Sequence, residues 1–178
     1  MQQFILAKPF PDFIMGEEIF LQIHRAEDDV RIAELVNMVN TNDDFSKYLD
    51  LKHYSNIESA KKTAKQREAF AKQGMLADYA IQLFNGKTIG GMCFINRGDK
   101  SVGVSYYIDK KYRGKGFVSK ALKLAEPEML KAGFDTIVLE INETNKKSIL
   151  VANRNNYVLQ ETGFSMKDFV KNLTQKQY

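Results

Sequence analysis

Between Val102 and Leu122 the chain reads VGVSYYIDKKYRGKGFVSKAL and changes from one backbone periodicity to another within a few residues, which restricts the folds open to it. Its first part is β-branched and aromatic, with Val104, Tyr106 and Ile108 on one parity and Tyr107 on the other, the signature of a strand. From Gly116 onward it reads as a helix. Between the two lies Lys110-Lys111-Tyr112-Arg113-Gly114-Lys115-Gly116, a basic turn with two glycines at the hand-over from strand to helix. The first N–H groups of a helix have no partner inside it and face the positive end of its dipole, so such a turn can hold a phosphate through backbone alone. Glycine lets that backbone approach closely. A Gly-x-Gly after a strand is also common as a plain tight turn, so its context decides. The dinucleotide fingerprint needs a third glycine and a later acidic residue on the next strand, but Phe117 and Val118 follow here, and no Gly-Lys-Ser/Thr closes the turn as a nucleotide-triphosphate loop requires.

The rest of the chain supplies a sheet for that unit. Residues 1–17 mix aromatics and prolines without a period and read as an arm or partial strand. Ile19, Leu21 and Ile23 alternate with polar neighbours in a first strand, with His24 on its solvated face. Asp28 or Asp29 caps a helix carrying Ile32, Leu35, Val36 and Val39. A polar stretch with Phe45, Tyr48 and Tyr54 follows, and Ser55 and Glu58 have capping-box spacing for a second helix stopped by Gly74. Two apolar strands, 78–84 and 88–95, meet at Asn85-Gly86, the preferred pair for a two-residue hairpin turn. After the basic turn, Pro127 should kink or restart the helix before Gly133 ends it. A strand over 135–142, a helix from Asn145 to Asn155-Asn156 and a strand over 157–162 complete the pattern, leaving 165–178 as a short C-terminal tail. The reading is one mixed α/β (α+β) domain over residues 1–178, a meander followed by alternating strands and helices.

Composition narrows the class. With 178 residues, 44% of them hydrophobic and 27% charged, the chain can build a real core. Its net charge of +4 suits a phosphate-rich ligand, but basic stripes and interleaved exposed aromatics are too few for a nucleic-acid module, so no direct nucleic-acid binding is expected. The single cysteine, Cys93, lies in an apolar run and reads as a buried residue of a reduced compartment. The N-terminus lacks a basic segment leading into a long apolar core, and no apolar run has membrane-spanning length. A cytoplasmic protein without membrane contact is expected. Histidines 24 and 53 share no ligand spacing, so no metal is expected.

Ser105-Tyr106-Tyr107-Ile108, Arg113-Gly114-Lys115-Gly116 and Ala121-Leu122, taken together, resemble the coenzyme A loop of the GNAT acetyltransferases. The resemblance is closest to the bacterial ribosomal-protein-serine and -alanine N-acetyltransferases. A second segment, Asn142 to Ser148 followed by Val151 to Glu161, resembles that family's later motif, with Asn156-Tyr157 where Gly-Phe is usual. Asparagine tolerates the left-handed conformation that the glycine adopts there. The match covers about residues 18 to 164. Two departures stand out: Val118 replaces a small residue, and Gly103 stands where many members carry a glutamate that could act as a base.

The resemblance implies a mostly antiparallel mixed sheet, splayed near its middle, with helices on both faces and a final strand for which the tail looks short. It implies acetyl-CoA as cosubstrate, held by Arg113, Gly114, Lys115, Gly116, Phe117, Val118 and Ser119 at its pyrophosphate. Tyr107 and Ile108 would offer main-chain groups to the pantetheine, and Asn145 would bind its arm. Ser148 would protonate the departing thiolate, with Tyr106 or Tyr107 as the other donor, and Glu140 is a candidate base where water does not suffice. Read alone, Asn145 and Ser148 are a helix cap and a first-turn residue. The acceptor implied is a primary amine, foremost a protein N-terminus such as that of a ribosomal protein. A polyamine or antibiotic amine, or a coenzyme A sensor without catalysis, are the alternatives, and a homodimer stays open.

Overall fold

The computed structural model describes residues 5–160 and 166–174. In chain order its elements are β1 (Phe13–Met15), β2 (Ile19–Ile23), α1 (Asp29–Thr41), α2 (Ile57–Lys72), β3 (Leu76–Leu83), β4 (Thr88–Asn96), β5 (Ser101–Ile108), α3 (Phe117–Lys131), β6 (Thr136–Asn142), α4 (Lys146–Arg154), β7 (Val158–Gln160) and β8 (Met166–Asn172). The strands form one eight-stranded sheet in the order β1-β2-β3-β4-β5-β6-β8-β7. Every neighbouring pair is antiparallel except β5 and β6, which are parallel. That parallel pairing lasts only from Ser101–Thr136 to Gly103–Val138, after which the strands part. This is the splay that the family resemblance implies.

Alternation along the strands sends one set of side chains to each face. On one face Ile137, Leu139 and Ile141 of β6 and Val102, Val104 and Ile108 of β5 pack against Ala121, Leu122, Ala125 and Met129 of α3. On the other face Ile32, Leu35 and Met38 of α1 and Ala60 and Ala64 of α2 pack together with Phe45, Tyr54 and Tyr107. Helices therefore cover both faces. Among the described residues no helix is long and apolar enough to cross a membrane.

Several local expectations are corrected. The stretch read as a short tail forms β8, seven residues inserted between β6 and β7 with register Thr136–Asn172 to Asn142–Met166. The last strand expected over 157–162 is seen at Val158–Gln160, and Glu161 and Thr162 lie outside the described residues. α2 is capped by Asn56, whose side chain accepts the Ser59 N–H at 2.9 Å, and Ser55 ends a preceding 3₁₀ turn instead. The β3–β4 hairpin does not use a two-residue turn. Gly86 N–H bonds Leu83 C=O (2.9 Å), Leu83 N–H bonds Lys87 C=O (3.0 Å), and Gly86 has φ +83°, a three-residue loop closed by a left-handed glycine. α3 runs unbroken through Pro127, because four buried residues hold it to the sheet over the position where proline removes one bond.

His24 is corrected as well. It continues the β2–β3 ladder, donating its backbone N–H to Asp78 C=O (2.9 Å), and its side chain turns under Tyr54, ring centroids 6.3 Å apart. It is 1% exposed and neither ring nitrogen has a hydrogen-bond partner. Beside it Asp78, also buried, accepts from the Tyr54 hydroxyl (2.5 Å) and from Arg67 Nη1 (2.7 Å). Cys93 is buried as expected, and burial pushes its thiol pKa up.

Burial pulls the His24 pKa below its ordinary value, with Asp78 opposing and Arg31 and Arg67 assisting. The unfolded chain then takes up a proton near pH 6.5 that the folded chain refuses. Stability is complete above about pH 6.5 and falls as pH drops below it, at up to about 1.4 kcal/mol per pH unit for this one group. Urea melts between pH 5 and pH 7.5 should show this slope, and His24→Phe should flatten it.

Candidate active site

β5 closes with Asp109 N–H on Ile89 C=O (2.9 Å), and the Asp109 carboxylate then accepts Lys111 N–H (3.1 Å) to begin a 3₁₀ turn over Lys110–Tyr112. Gly114 and Gly116 follow with φ of +76° and +78°. A Cβ on either would meet nothing within 4 Å, so backbone conformation demands glycine and the space above the turn is open. Gly116 is the N-cap of α3 and no side chain caps the helix. The first intrahelical bond runs from Lys120 N–H to Gly116 C=O (3.0 Å). The N–H groups of Phe117, Val118 and Ser119 thus emerge with no partner in the helix and with no acidic residue in its first turn. Exposed Lys115 carries its ammonium 5.4 Å from the Tyr112 ring centroid, beside the same opening. These are the ingredients of an anion site.

The side chains around the turn are ordered by the fold. Phe117 sets its ring edge-on to Tyr112, and Val118 packs against the α3 face of the core rather than into the turn. Ser119 Oγ accepts from Asn155 Nδ2 (2.8 Å), which also donates to Val151 C=O (2.7 Å) and so ties the start of α3 to the end of α4. Asn155 is 2% exposed and gave no functional signal in the sequence beyond ending a helix. Asn156 has φ +63°, the left-handed conformation anticipated for it. Arg113 is not aimed into the opening. Its Nε donates to Ile108 C=O (2.9 Å), Nη1 and Nη2 bind the Asp44 carboxylate (2.5 and 3.0 Å), and Nη2 reaches Asn42 Oδ1 (3.3 Å). This pairing holds the Asp44 pKa below the usual carboxylate range.

The gap between β5 and β6 opens next to this turn. The Asp109–Ile89 bond fixes the phase of the β4–β5 ladder, so the main-chain groups of Tyr107 turn toward Gly91, while those of Tyr106 and Ile108 turn toward the gap. Tyr107 is thereby removed from main-chain contact with anything in the gap. Its ring packs beside Phe45 (centroids 5.4 Å) and over Gly91, where a Cβ would fall 2.4 Å from the phenol. Of the Ile108 groups the carbonyl is taken by Arg113.

Tyr106 and Ser148 do come together. Burial raises the Tyr106 pKa to about 12, and the adjacent Ser148 side chain is the one group that opposes the shift. The Tyr106 hydroxyl is buried without a hydrogen bond, and Ser148 sits half-buried in the first turn of α4. Asn145 caps that helix, its side chain accepting Ser148 N–H at 3.2 Å, as its local sequence alone would indicate. Glu140 is apart from them. It lies on the opposite face of β6, 52% exposed in its side chain and ion-paired to Arg97, as a carboxylate on the outward parity should be.

The geometry is that of a mixed sheet parted at its centre, with an amide-lined anion turn after β5 and the Tyr106 and Ser148 side chains beside one another. The GNAT acetyltransferase domain model matches residues 19–158, and the chain belongs to this family. Solved structures share the fold at low identity. The ribosomal L7/L12 α-N-protein acetyltransferase RimL with coenzyme A is 19% identical, with a TM-score of 0.76 over 93% of this chain and 98% of that one. The microcin C7 self-immunity acetyltransferase MccE with acetyl-CoA and AMP is 20% identical, TM-score 0.78, over 88% and 93%. The ribosomal-protein-S5-alanine acetyltransferase of Vibrio fischeri is 17% identical, TM-score 0.78, over 93% and 99%. No curated protein sequence matches this chain.

With open space above Gly116, an added methyl costs only the strain of a left-handed backbone. Gly116→Ala should lower stability by about 1–2 kcal/mol without loss of helix content, read by circular dichroism during a denaturant melt.

Proposed function

We propose that this acetyltransferase moves the acetyl group of acetyl-CoA to the α-amine of a protein N-terminus, of the kind a ribosomal protein presents. What supports the reading is the parting of β5 and β6 beyond Gly103–Val138 together with the uncapped, amide-lined start of α3 that follows β5. In this reading the amides of residues 116–119 and the Lys115 charge hold the pyrophosphate. The pantetheine lies along the parted edge of β5, taking the gap-facing main-chain groups of Tyr106 as an added strand would. The Ile108 N–H is a donor for the oxygen that gains charge.

The amine lone pair attacks the thioester carbon, the C–N bond forms, the C–S bond breaks, and the surplus amine proton leaves to water. The thiolate needs a proton in return. Ser148 gives it, and Tyr106, fully protonated at neutral pH, stands behind to replace it. Glu140 could act as base only from the opposite face and after leaving Arg97. One observation favours a second acceptor class: a self-immunity acetyltransferase shares the fold as closely as the ribosomal ones. A single domain spanning the whole chain, in the reducing cytoplasm, agrees with this function.

Release of coenzyme A thiol should be followed with peptides beginning in Ser or Ala, with spermidine and with an amine-bearing antibiotic. Turnover restricted to the peptides supports the reading; turnover restricted to the small amines overturns it. Tight acetyl-CoA binding without turnover on any amine would make the chain a binding protein.

For the acid, Ser148→Ala should cut kcat roughly a hundredfold or more and leave acetyl-CoA affinity nearly unchanged. Near-normal turnover would reduce Ser148 to the first turn of its helix. For the cofactor turn, Gly116→Val should weaken acetyl-CoA at least tenfold, about 1.4 kcal/mol, beyond the change produced by Gly116→Ala. Titration calorimetry measures both.

A further inference from the structure

We infer that Asn42 and Asp44 are positioning residues for the phosphate turn, acting through Arg113, and that Arg113 is a strut rather than a phosphate ligand. The inference rests on the reading that the pyrophosphate of acetyl-CoA occupies residues 114–119.

A guanidinium has five N–H donors in a rigid plane. The protein takes four of them here, through Ile108 C=O, both Asp44 carboxylate oxygens and Asn42 Oδ1. The Arg113–Asp44 contact is the two-point, charge-assisted kind that fixes geometry as well as energy. The plane is further held over the Phe45 ring, 5.4 Å from its centroid, and Phe45 is itself buried against Tyr107. Releasing Arg113 to a phosphate would break all of these contacts at once.

Asn42 shows what the arrangement is for. It is 2% exposed, at the C-terminus of α1, and its Nδ2 donates to Met38 C=O (2.8 Å) in the last turn of that helix. Its Oδ1 accepts both Arg113 Nη2 and the backbone N–H of Lys110 (2.8 Å). One side-chain oxygen therefore grips the entry of the basic turn and, through Arg113, its middle. Asp44 closes the grip from solvent. The frame that holds the turn is α1 and the segment after it, contributed from far away in sequence. The same segment touches the other wall of the gap, where the Tyr48 hydroxyl donates to Thr144 C=O (3.4 Å) just before Asn145.

Electrostatics gives a test whose sign is decisive. A carboxylate beside an anion site repels the anion, so removing Asp44 should strengthen binding if Arg113 is a ligand waiting to be freed. If Asp44 positions the turn, its removal should weaken binding against that trend. Acetyl-CoA affinity should be measured by calorimetry for the wild type, Asp44→Ala, Arg113→Ala, the double variant and Arg113→Lys. Each single change is expected to weaken binding about fivefold or more, and the double variant is expected to be little worse than either, because the residues act as one unit. Arg113→Lys should behave like Arg113→Ala, since a point charge cannot form the fork. At saturating acetyl-CoA, kcat should stay near the wild-type value while KM rises. Unchanged or tighter binding by Asp44→Ala, or near-normal binding by Arg113→Lys, would overturn the inference. Hydrogen exchange in the free protein of the Lys110 amide, bonded to Asn42 Oδ1 (2.8 Å), and of the Tyr112 amide, bonded to Asp109 C=O (2.8 Å), tests it without cofactor: Asp44→Ala should speed that exchange, and unchanged exchange overturns the inference even if the wild type binds no acetyl-CoA. Failure of the wild type to bind would instead remove the reading of the turn as a cofactor site.

Discussion

Three residue pairs of parallel β-structure determine this molecule's usefulness. Between Ser101–Thr136 and Gly103–Val138 the two central strands are joined, and beyond that they separate while each stays paired to its outer neighbour. Main-chain groups on the inner edges are thereby withheld from the sheet. Such groups are costly to leave without partners, so an opening of this kind is a place for a ligand with its own donors and acceptors. α3 follows β5 and α4 follows β6 in the chain, and Asn155 at the end of α4 bonds Ser119 at the start of α3.

The two faces of the sheet solve different problems. The α3 face is a continuous apolar core that anchors the strand and helix on either side of the basic turn. The α1–α2 face is mixed: Asp78, Tyr54 and His24 are buried among aromatics and alanines, with Arg67 half-buried beside them. Burying the Asp78 charge is tolerable because Arg67 and Tyr54 supply its partners. Arg113 applies the same principle nearer the surface, where an ion pair with good two-point geometry can set the shape of a loop. In both places the fixed arrangement matters more than net stabilisation.

What could be read from the sequence was what is local. The strand, turn and helix around Gly114 and Gly116 were legible because period, glycine and basic residues all fall within one short stretch, and the left-handed Asn156 was legible from asparagine's own tolerance. The helix caps were nearly so, with Asn56 rather than Ser55 chosen by a shift of one residue. The partner of Arg113 was not legible, because Asp44 lies in a polar segment without periodicity and meets Arg113 only after the sheet and α1 are assembled. His24 reads as solvated until α2 and Tyr54 cover its face. β8 was hidden for another reason: in Met166–Asn172 only Phe169 is buried, so the strand carries almost no apolar alternation and is defined by the neighbours it pairs with.

The position of β8 bears on how the chain emerges from a ribosome. β7 is made first, yet in the finished sheet its neighbour is β8, which also fills the edge of β6. While the chain is still being extended, β6 offers a bare edge and β7 has nothing to pair with. β1 to β5 can meander into place as they appear, each beside the strand made just before it. β6, the far wall of the opening, therefore gains the partner for its outer edge only from a segment synthesised after it.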